Sequence, residues 1–234
     1  VIGVIEVAIG PIVASQPTTL FAARPVLSIL LATVENRADL FAKLRAHLQA
    51  QAKGRSVELV IACDNKEISI GEKRQQLLER AAGDYVAFID DDDWCSNDYI
   101  DRILHALERK PDCVGFEISC TFNGGESQKA VTSIRYPAWS DNQDGYRFVR
   151  SIYHKSVIRR DLALQVGFPD LRYAEDKIFS EGIMKLVKTE VFIPHVLYFY
   201  RFTREPFAKK YGFPAAQKSM KGVNYGHKRR PFQH

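Results

Sequence analysis

Three short apolar runs, at residues 26–32, 57–63 and 85–89, each open into a polar or acidic loop, with stretches of helical spacing between them. That alternation constrains the fold more than any other feature of the chain. Each run is too short for a free-standing helix and is bounded by breakers or polar residues, so it reads as a buried strand. Between the first two, Leu40, Phe41, Leu44 and Leu48 fall on one face of a helix. Between the second and third, Leu77, Leu78 and Ala81 do the same before Gly83 stops the turn. Repeated strand–helix–strand units imply a parallel sheet with right-handed crossovers. Ligands of such open sheets sit beyond the carboxyl ends of the strands, where 33–37, Asp64 and Asp90, Asp91, Asp92 and Asp93 all fall.

The pattern then changes. Ser96 or Asn97 is expected to cap a helix whose apolar face is Ile100, Ile103, Leu104 and Leu107, with Pro111 just past its end. Stretches 113–122 and 129–136 are β-like and flank Asn123, Gly124 and Gly125, which predicts a hairpin and a mixed sheet. A helix over 175–187 and a strand over 191–200 complete a single α/β domain spanning 25–202. An apolar segment, 1–24, precedes it without an assigned role, and a tail, 203–234, follows.

Composition narrows the class. At 234 residues and 46% hydrophobic the chain can bury a substantial core, and it contains neither an internal repeat nor a linker-like block. The net charge of +5 is uneven: nine Lys/Arg against Glu205 alone from Arg201 onward leave 24 basic and 27 acidic residues before it. Such a tail could touch an anionic membrane surface, but no nucleic-acid motif accompanies it and none is expected as a partner. Cys63, Cys95, Cys113 and Cys120 have neither zinc spacing nor the density of a disulfide scaffold, which suits a reducing, cytoplasmic setting with membrane association as an addition. Residues 1–20 contain Glu6 and Pro11 and lack a basic leading region, so neither a membrane-spanning helix nor a signal peptide is expected there.

Four consecutive carboxylates at the end of an apolar strand repel one another by about 4 kcal/mol per close pair at an effective dielectric of about 20. A hard divalent cation with oxygen ligands, Mg²⁺ or Mn²⁺, relieves that repulsion while taking only one or two protein carboxylates, the rest being water and phosphate. Side chains alternate along a strand, so Asp90 and Asp92 should point to one side and Asp91 and Asp93 to the other. A solvated acidic turn that caps the next helix is the competing reading. The strand 86–89 that drives these charges onto the rim of the sheet favours a metal and diphosphate site.

Residues 25–37 (PVLSILLATVENR), residues 70–93 (IGEKRQQLLERAAGDYVAFIDDDD) and the later Ala174-Glu175-Asp176 resemble the opening strand, the DxD region and the ED motif of family-2 GT-A glycosyltransferases. The resemblance spans about 25–202 and implies a GT-A, Rossmann-like α/β fold with a mixed, mostly parallel central sheet flanked by helices. It implies a metal-dependent, inverting transfer of a sugar from a nucleoside-diphosphate donor, UDP-linked in the usual case, to a hydroxyl of a glycan, lipid-linked or protein acceptor in polysaccharide biosynthesis. It gives Thr33, Glu35 and Arg37 to the ribose and base, Asp64 to the base, and Lys73 and Arg74 to the diphosphate, with Asp91 near the donor. It also gives Asp90 and Asp92 to Mn²⁺ or Mg²⁺ and Glu175 and Asp176 to acceptor activation, with Asp176 as the base. Asn65 stands where the family has a second acidic residue, which leaves the base open. His154, Lys155, His195, Trp94 and Trp139 are further polar or aromatic candidates. Two other readings are a sugar-phosphate nucleotidyltransferase, which the absence of a glycine-rich loop after the first strand disfavours, and a non-catalytic carbohydrate-binding or assembly subunit on a degenerate fold.

Overall fold

The structure, a computed structural model, describes residues 3–8 and 24–203. In chain order the elements are β1 (Gly3–Ala8), β2 (Leu27–Val34), α1 (Ala38–Ala52), β3 (Val57–Asp64), α2 (Ile70–Arg80), β4 (Tyr85–Phe88), β5 (Trp94–Cys95) and α3 (Tyr99–Leu107). There follow β6 (Cys113–Phe122), β7 (Gln128–Thr132), β8 (Ser140–Gln143), β9 (Tyr146–Arg150), β10 (Val157–Arg159), α4 (Arg160–Val166), α5 (Glu175–Ile183) and β11 (Glu190–Phe202). One mixed sheet runs in the order β1-β3-β2-β4-β10-β6-β7-β9-β8, with β11 paired to β5 and β6. The first four strands are mutually parallel, and β10 enters antiparallel to both β4 and β6.

Burial on both faces explains why the strands read as unbroken apolar runs rather than alternations. Leu27, Ile29 and Leu31 of β2 face one core layer with Phe41, Leu44 and Leu48 of α1 and Ile100 and Ile103 of α3. Leu30 faces the opposite layer, with Leu77 and Leu78 of α2, Leu162 of α4 and Phe179 and Ile183 of α5. At about 1.5–3 kcal/mol for each large apolar side chain, these two layers fix the register of the central strands. Since β2 lies between β3 and β4, the chain reverses its direction across the sheet there. The crevice at such a switch point is where open α/β sheets bind ligands.

Differences from the sequence expectations have local causes. Gly3–Ala8 form a strand parallel to β3, so the sheet begins ahead of residue 25. Asp98, not Ser96 or Asn97, occupies the N-cap of α3, and no side chain caps it; the Ser96 hydroxyl instead donates to Asp98 Oδ1 at 2.8 Å. The hairpin forms as β6 and β7, but β7 ends at Thr132 because Ser133 and Tyr136 close a turn, with the Ser133 hydroxyl on Glu190 Oε2 at 2.7 Å. The helix expected over 175–187 stops at Ile183, and the last strand is longer than expected at both ends. No helix among the described residues is long and apolar enough to cross a membrane. The basic tail lies outside the described residues.

Candidate active site

The end of β2, the first turn of α2 and the turn after β4 meet in a cleft of about 250 Å³. Its lining includes Thr33, Arg37, Lys73, Arg74, Asp90, Asp91 and Asp92. Most of the residues assigned to the donor from the motifs therefore converge. Glu35 is exposed in the short 3-10 turn after β2, and Asp64 lies behind the cleft wall.

The acidic run does not continue as a strand: Asp93 N–H donates to Asp90 O at 3.1 Å, closing a turn. The alternation in exposure nonetheless survives, with Asp90 and Asp92 half-open and Asp91 and Asp93 buried. Asp91 accepts from the Thr33 hydroxyl at 2.8 Å and from Arg37 Nη1. Asp93 accepts from Lys155 Nζ at 2.5 Å, from the Tyr198 hydroxyl at 2.7 Å and from the Arg201 amide at 2.8 Å. Asp90 is flanked by Arg74 Nη2 at 2.9 Å and Lys155 Nζ at 2.5 Å. Burial would push its carboxyl up, but Lys155 and Arg74 hold it well below the usual carboxylate range. Asp92 is the open member, its side chain 37% exposed, with Arg37 Nη1 at 3.2 Å. Burial and the neighbouring Asp90 and Asp91 raise its carboxyl against the pull of Arg37.

Lys73 and Arg74 are buried connectors rather than solvated helix charges. Lys73 Nζ bonds Asp64 Oδ1 and, at 2.8 Å, the Thr33 carbonyl, so Asp64 is turned toward α2 and bears on the donor loop through Lys73. Burial raises the Asp64 carboxyl, but the Lys73 ammonium more than offsets this and leaves it lowered. Arg74 spans Asp90 and Glu175.

That bridge separates the two residues of the acidic pair at the start of α5. Glu175 is buried on Arg74, and burial raises its carboxyl. Asp176, 29% exposed at its side chain, takes its own helix's Lys177 N–H at 2.8 Å and faces His154. Ala174 delivers the pair from a left-handed conformation, φ 63° and ψ 9°. The preceding loop is clamped to α2 by Ser69 Oγ on Asp170 at 2.6 Å and Gly71 N–H on the Leu171 carbonyl at 3.0 Å. A Cβ at residue 71 would lie 1.9 Å from Pro169 O, so only glycine permits this approach.

His154 sits between the two halves of the site, its Nε2 3.6 Å from Asp90 Oδ2 and its Nδ1 3.9 Å from Asp176 Oδ2. Burial, aided by Arg74, pushes it down to about 4 against the opposing pull of Asp90. Of the other candidates, His195 is exposed beside a bulge in β11 and lies outside the cleft lining. Trp94 stacks on His47, and Trp139 donates to Ser180 Oγ at 3.2 Å. The sequence reading gave no role to Tyr198 or to the Arg201 amide beneath the acidic turn. Lys155 was a candidate only as a polar neighbour of His154, and its contacts to Asp90 and Asp93 were not expected.

The donor set fits a hard divalent ion. Among the described residues no three His, Cys, Asp or Glu side chains are grouped to hold a metal ion; a site of one or two carboxylates would need phosphate and water to complete it. Seven carboxylates (Asp64, Asp90, Asp91, Asp92, Asp93, Glu175, Asp176) stand against Arg37, Lys73, Arg74, Lys155 and the rim residue Lys66. An anionic diphosphate needs further positive charge to enter, and Asp92 is the carboxylate with the least engaged oxygens.

A family model described as glycosyl transferase family 2 matches residues 43–167. EpsH of Bacillus subtilis (strain 168), which carries the name glycosyltransferase, is 24% identical over 155 residues, covering 61% of this chain and 44% of EpsH. A crystal structure of S. aureus TarS in complex with UDP-GlcNAc superposes with a TM-score of 0.59 at 16% identity, over 76% of this chain and 59% of that one. TarS in complex with UDP gives 0.58 at 17%, over 78% and 62%. At those identities the structural likeness shows the fold, and the chain spans under two thirds of each of these relatives. The family match, which covers more than half of the residues and spans β3, β4 and the acidic turn, is the decisive finding: the chain belongs to glycosyl transferase family 2.

Proposed function

We propose that the chain transfers a sugar from a nucleoside-diphosphate donor, UDP-linked, to an acceptor hydroxyl with inversion at the anomeric carbon. The observation that carries this reading is the placement of a half-open carboxylate, Asp176, one imidazole ring away from the donor-side Asp90. Thr33 and Arg37 hold the nucleoside side of the cleft, with the exposed Glu35 between them in sequence, and Lys73 fixes the loop beneath them with Asp64 as its counter-charge. Arg74 stands by the diphosphate. Asp92, with Asp90 beside it, would hold Mn²⁺ or Mg²⁺, which when bound supplies positive charge for the departing diphosphate.

Asp176 removes the proton of the acceptor hydroxyl as that oxygen bonds to the anomeric carbon. The bond from that carbon to the diphosphate oxygen breaks with its electron pair, and the nucleoside diphosphate leaves. A carboxylate is basic enough because the hydroxyl becomes acidic only as the new bond forms. Glu175 holds Arg74 in place instead of competing for the proton.

The test is a donor screen with Mn²⁺ for nucleoside-diphosphate release, run with Asp92→Ala and Asp176→Asn. The expected result is that Asp92→Ala weakens nucleotide binding in Mn²⁺, while Asp176→Asn keeps binding and loses turnover by about 10²–10⁴-fold. Release unchanged in both variants would sink the assignment.

A further inference from the structure

The His154 imidazole is an unexplained buried group. It is 2% exposed, and neither ring nitrogen has a hydrogen-bond partner. Buried polar atoms in native proteins nearly always have partners, and the exceptions cluster where a ligand or a movement completes them. Packing fixes the ring itself: Phe88 and Tyr153 meet it edge-on, with centroids at 6.4 and 4.9 Å, and its backbone carbonyl accepts from Phe88 N–H at 3.3 Å. The nitrogens are thereby aimed at one carboxylate on each side, just beyond bonding range.

Each ring nitrogen faces one carboxylate, Nε2 at 3.6 Å and Nδ1 at 3.9 Å. The needs of the two carboxylates differ. Asp90 already takes Arg74 on one oxygen and Lys155 on the other. Asp176 takes Lys177 N–H on Oδ1, and no other donor among the described residues reaches Oδ2, the oxygen that faces His154. We propose that His154 is a positioning residue for the acceptor base, its Nδ1–H held toward Asp176 Oδ2 and its other nitrogen toward the donor-side Asp90. This rests on Asp176 being the base. A movement of about 1 Å closes the gap to a normal hydrogen bond, and such bonds commonly tighten only when substrate is present. Because the ring faces both sides of the site, closing one contact would tie the orientation of the base to the donor-side carboxylate.

Three substitutions of His154 and one spectrum, compared with Asp176→Asn, test this. His154→Phe keeps the ring packing and removes both nitrogens, while His154→Asn retains a donor near Nδ1 and His154→Gln one near Nε2. With UDP-GlcNAc and Mn²⁺, His154→Phe should lower the rate constant for UDP release by about tenfold or more while the Kd for UDP stays within about twofold, the split a positioning role requires. His154→Asn should recover part of the rate and His154→Gln should not. Independently of any turnover, imidazole ¹⁵N NMR of the full chain should show His154, assigned by its loss in His154→Asn, as the Nδ1–H tautomer. Its Nδ1 resonance should shift in Asp176→Asn. An Nε2–H tautomer, unchanged release in His154→Phe, or rescue by Gln rather than Asn overturns the proposal. Wild-type chain that neither binds UDP nor releases it refutes the proposed function instead, and the tautomer still decides the role of His154.

Discussion

Arg74→Met isolates the central electrostatic tie of the site. Arg74 is buried and joins Asp90 Oδ1, at 2.9 Å, to Glu175 Oε1. Two unit charges in contact at an effective dielectric of about 20 attract by about 4 kcal/mol. Removing one member of a buried pair leaves the other charge desolvated, at a cost of about 3–5 kcal/mol. Asp90 retains Lys155, so the loss falls on Glu175. Arg74→Met should therefore lower unfolding stability by about 3–5 kcal/mol at pH 7. Glu175 is already raised by burial, and without Arg74 it rises further above its unfolded value of about 4.3. A folded-state carboxyl raised in this way favours the native state below the unfolded pKa, and that benefit is lost as pH rises through the folded pKa. The deficit should accordingly shrink toward pH 4 and grow toward neutrality. Urea unfolding followed by the fluorescence of Trp94 and Trp139 measures it, with an unchanged m-value as the check on two-state behaviour. Adding Glu175→Gln to Arg74→Met should recover about 1–3 kcal/mol, because the stranded charge disappears. A loss below about 1 kcal/mol, or a double variant no better than the single, would refute the reasoning.

Three further outcomes are expected. Asp112 accepts Lys188 and Thr189 N–H at 2.8 and 3.0 Å and Arg159 at 2.8 Å; burial raises its carboxyl, but these contacts leave it lowered. Asp112→Asn should thus cost about 1–3 kcal/mol at neutral pH, and the difference from wild type should vanish as pH falls below about 3.9 and through the lowered folded pKa, measured by urea titration at each pH. Gly71→Ala forces a Cβ onto Pro169 O and displaces the loop that leads to Asp176; a loss of about 1–3 kcal/mol in thermal unfolding is expected, with turnover falling more than nucleotide affinity. Ala174→Val puts a β-branched residue into a left-handed conformation, so it should destabilise by about 1–2 kcal/mol while Ala174→Gly stays near neutral in the same assay.

The parts of this architecture that were legible in the sequence are those set by short-range periodicity. Runs such as 27–31 and 57–62 read as buried strands because both faces of β2 and β3 are covered, and the spacing of Phe41, Leu44 and Leu48 marks the covering helix; Leu40, expected on that face, is outside both core layers. The alternation across Asp90, Asp91, Asp92 and Asp93 was legible for the same reason, although a turn rather than a strand maintains it. What supports that turn was not legible. Lys155, Tyr198 and Arg201 reach Asp93 from 62, 105 and 108 positions away, and no local pattern records a contact closed by the last strand. The pairing of Lys73 with Asp64 and of Arg74 with Glu175 was hidden similarly, because the motifs assign each of these residues to a ligand or a proton and do not record that they meet one another.

Chemically similar neighbours in this site carry different functions, and the backbone decides which. Asp90 and Asp92 alternate with Asp91 and Asp93 across one turn, so two carboxylates open to the cleft while two are consumed by Thr33, Arg37, Lys155 and Tyr198. Glu175 and Asp176 are separated by one helical step after the left-handed Ala174, so the first is spent on Arg74 and the second reaches the rim. Charge that faces a buried partner supports the fold, and charge left half-open is available for a ligand or a proton. It follows that Asp91, Asp93 and Glu175 should register mainly as stability, whereas Asp92 and Asp176 should register as binding and turnover with stability nearly unchanged. Asp90 belongs to both groups, since it faces the cleft while its ion pairs with Arg74 and Lys155 hold it in place and hold its carboxyl low.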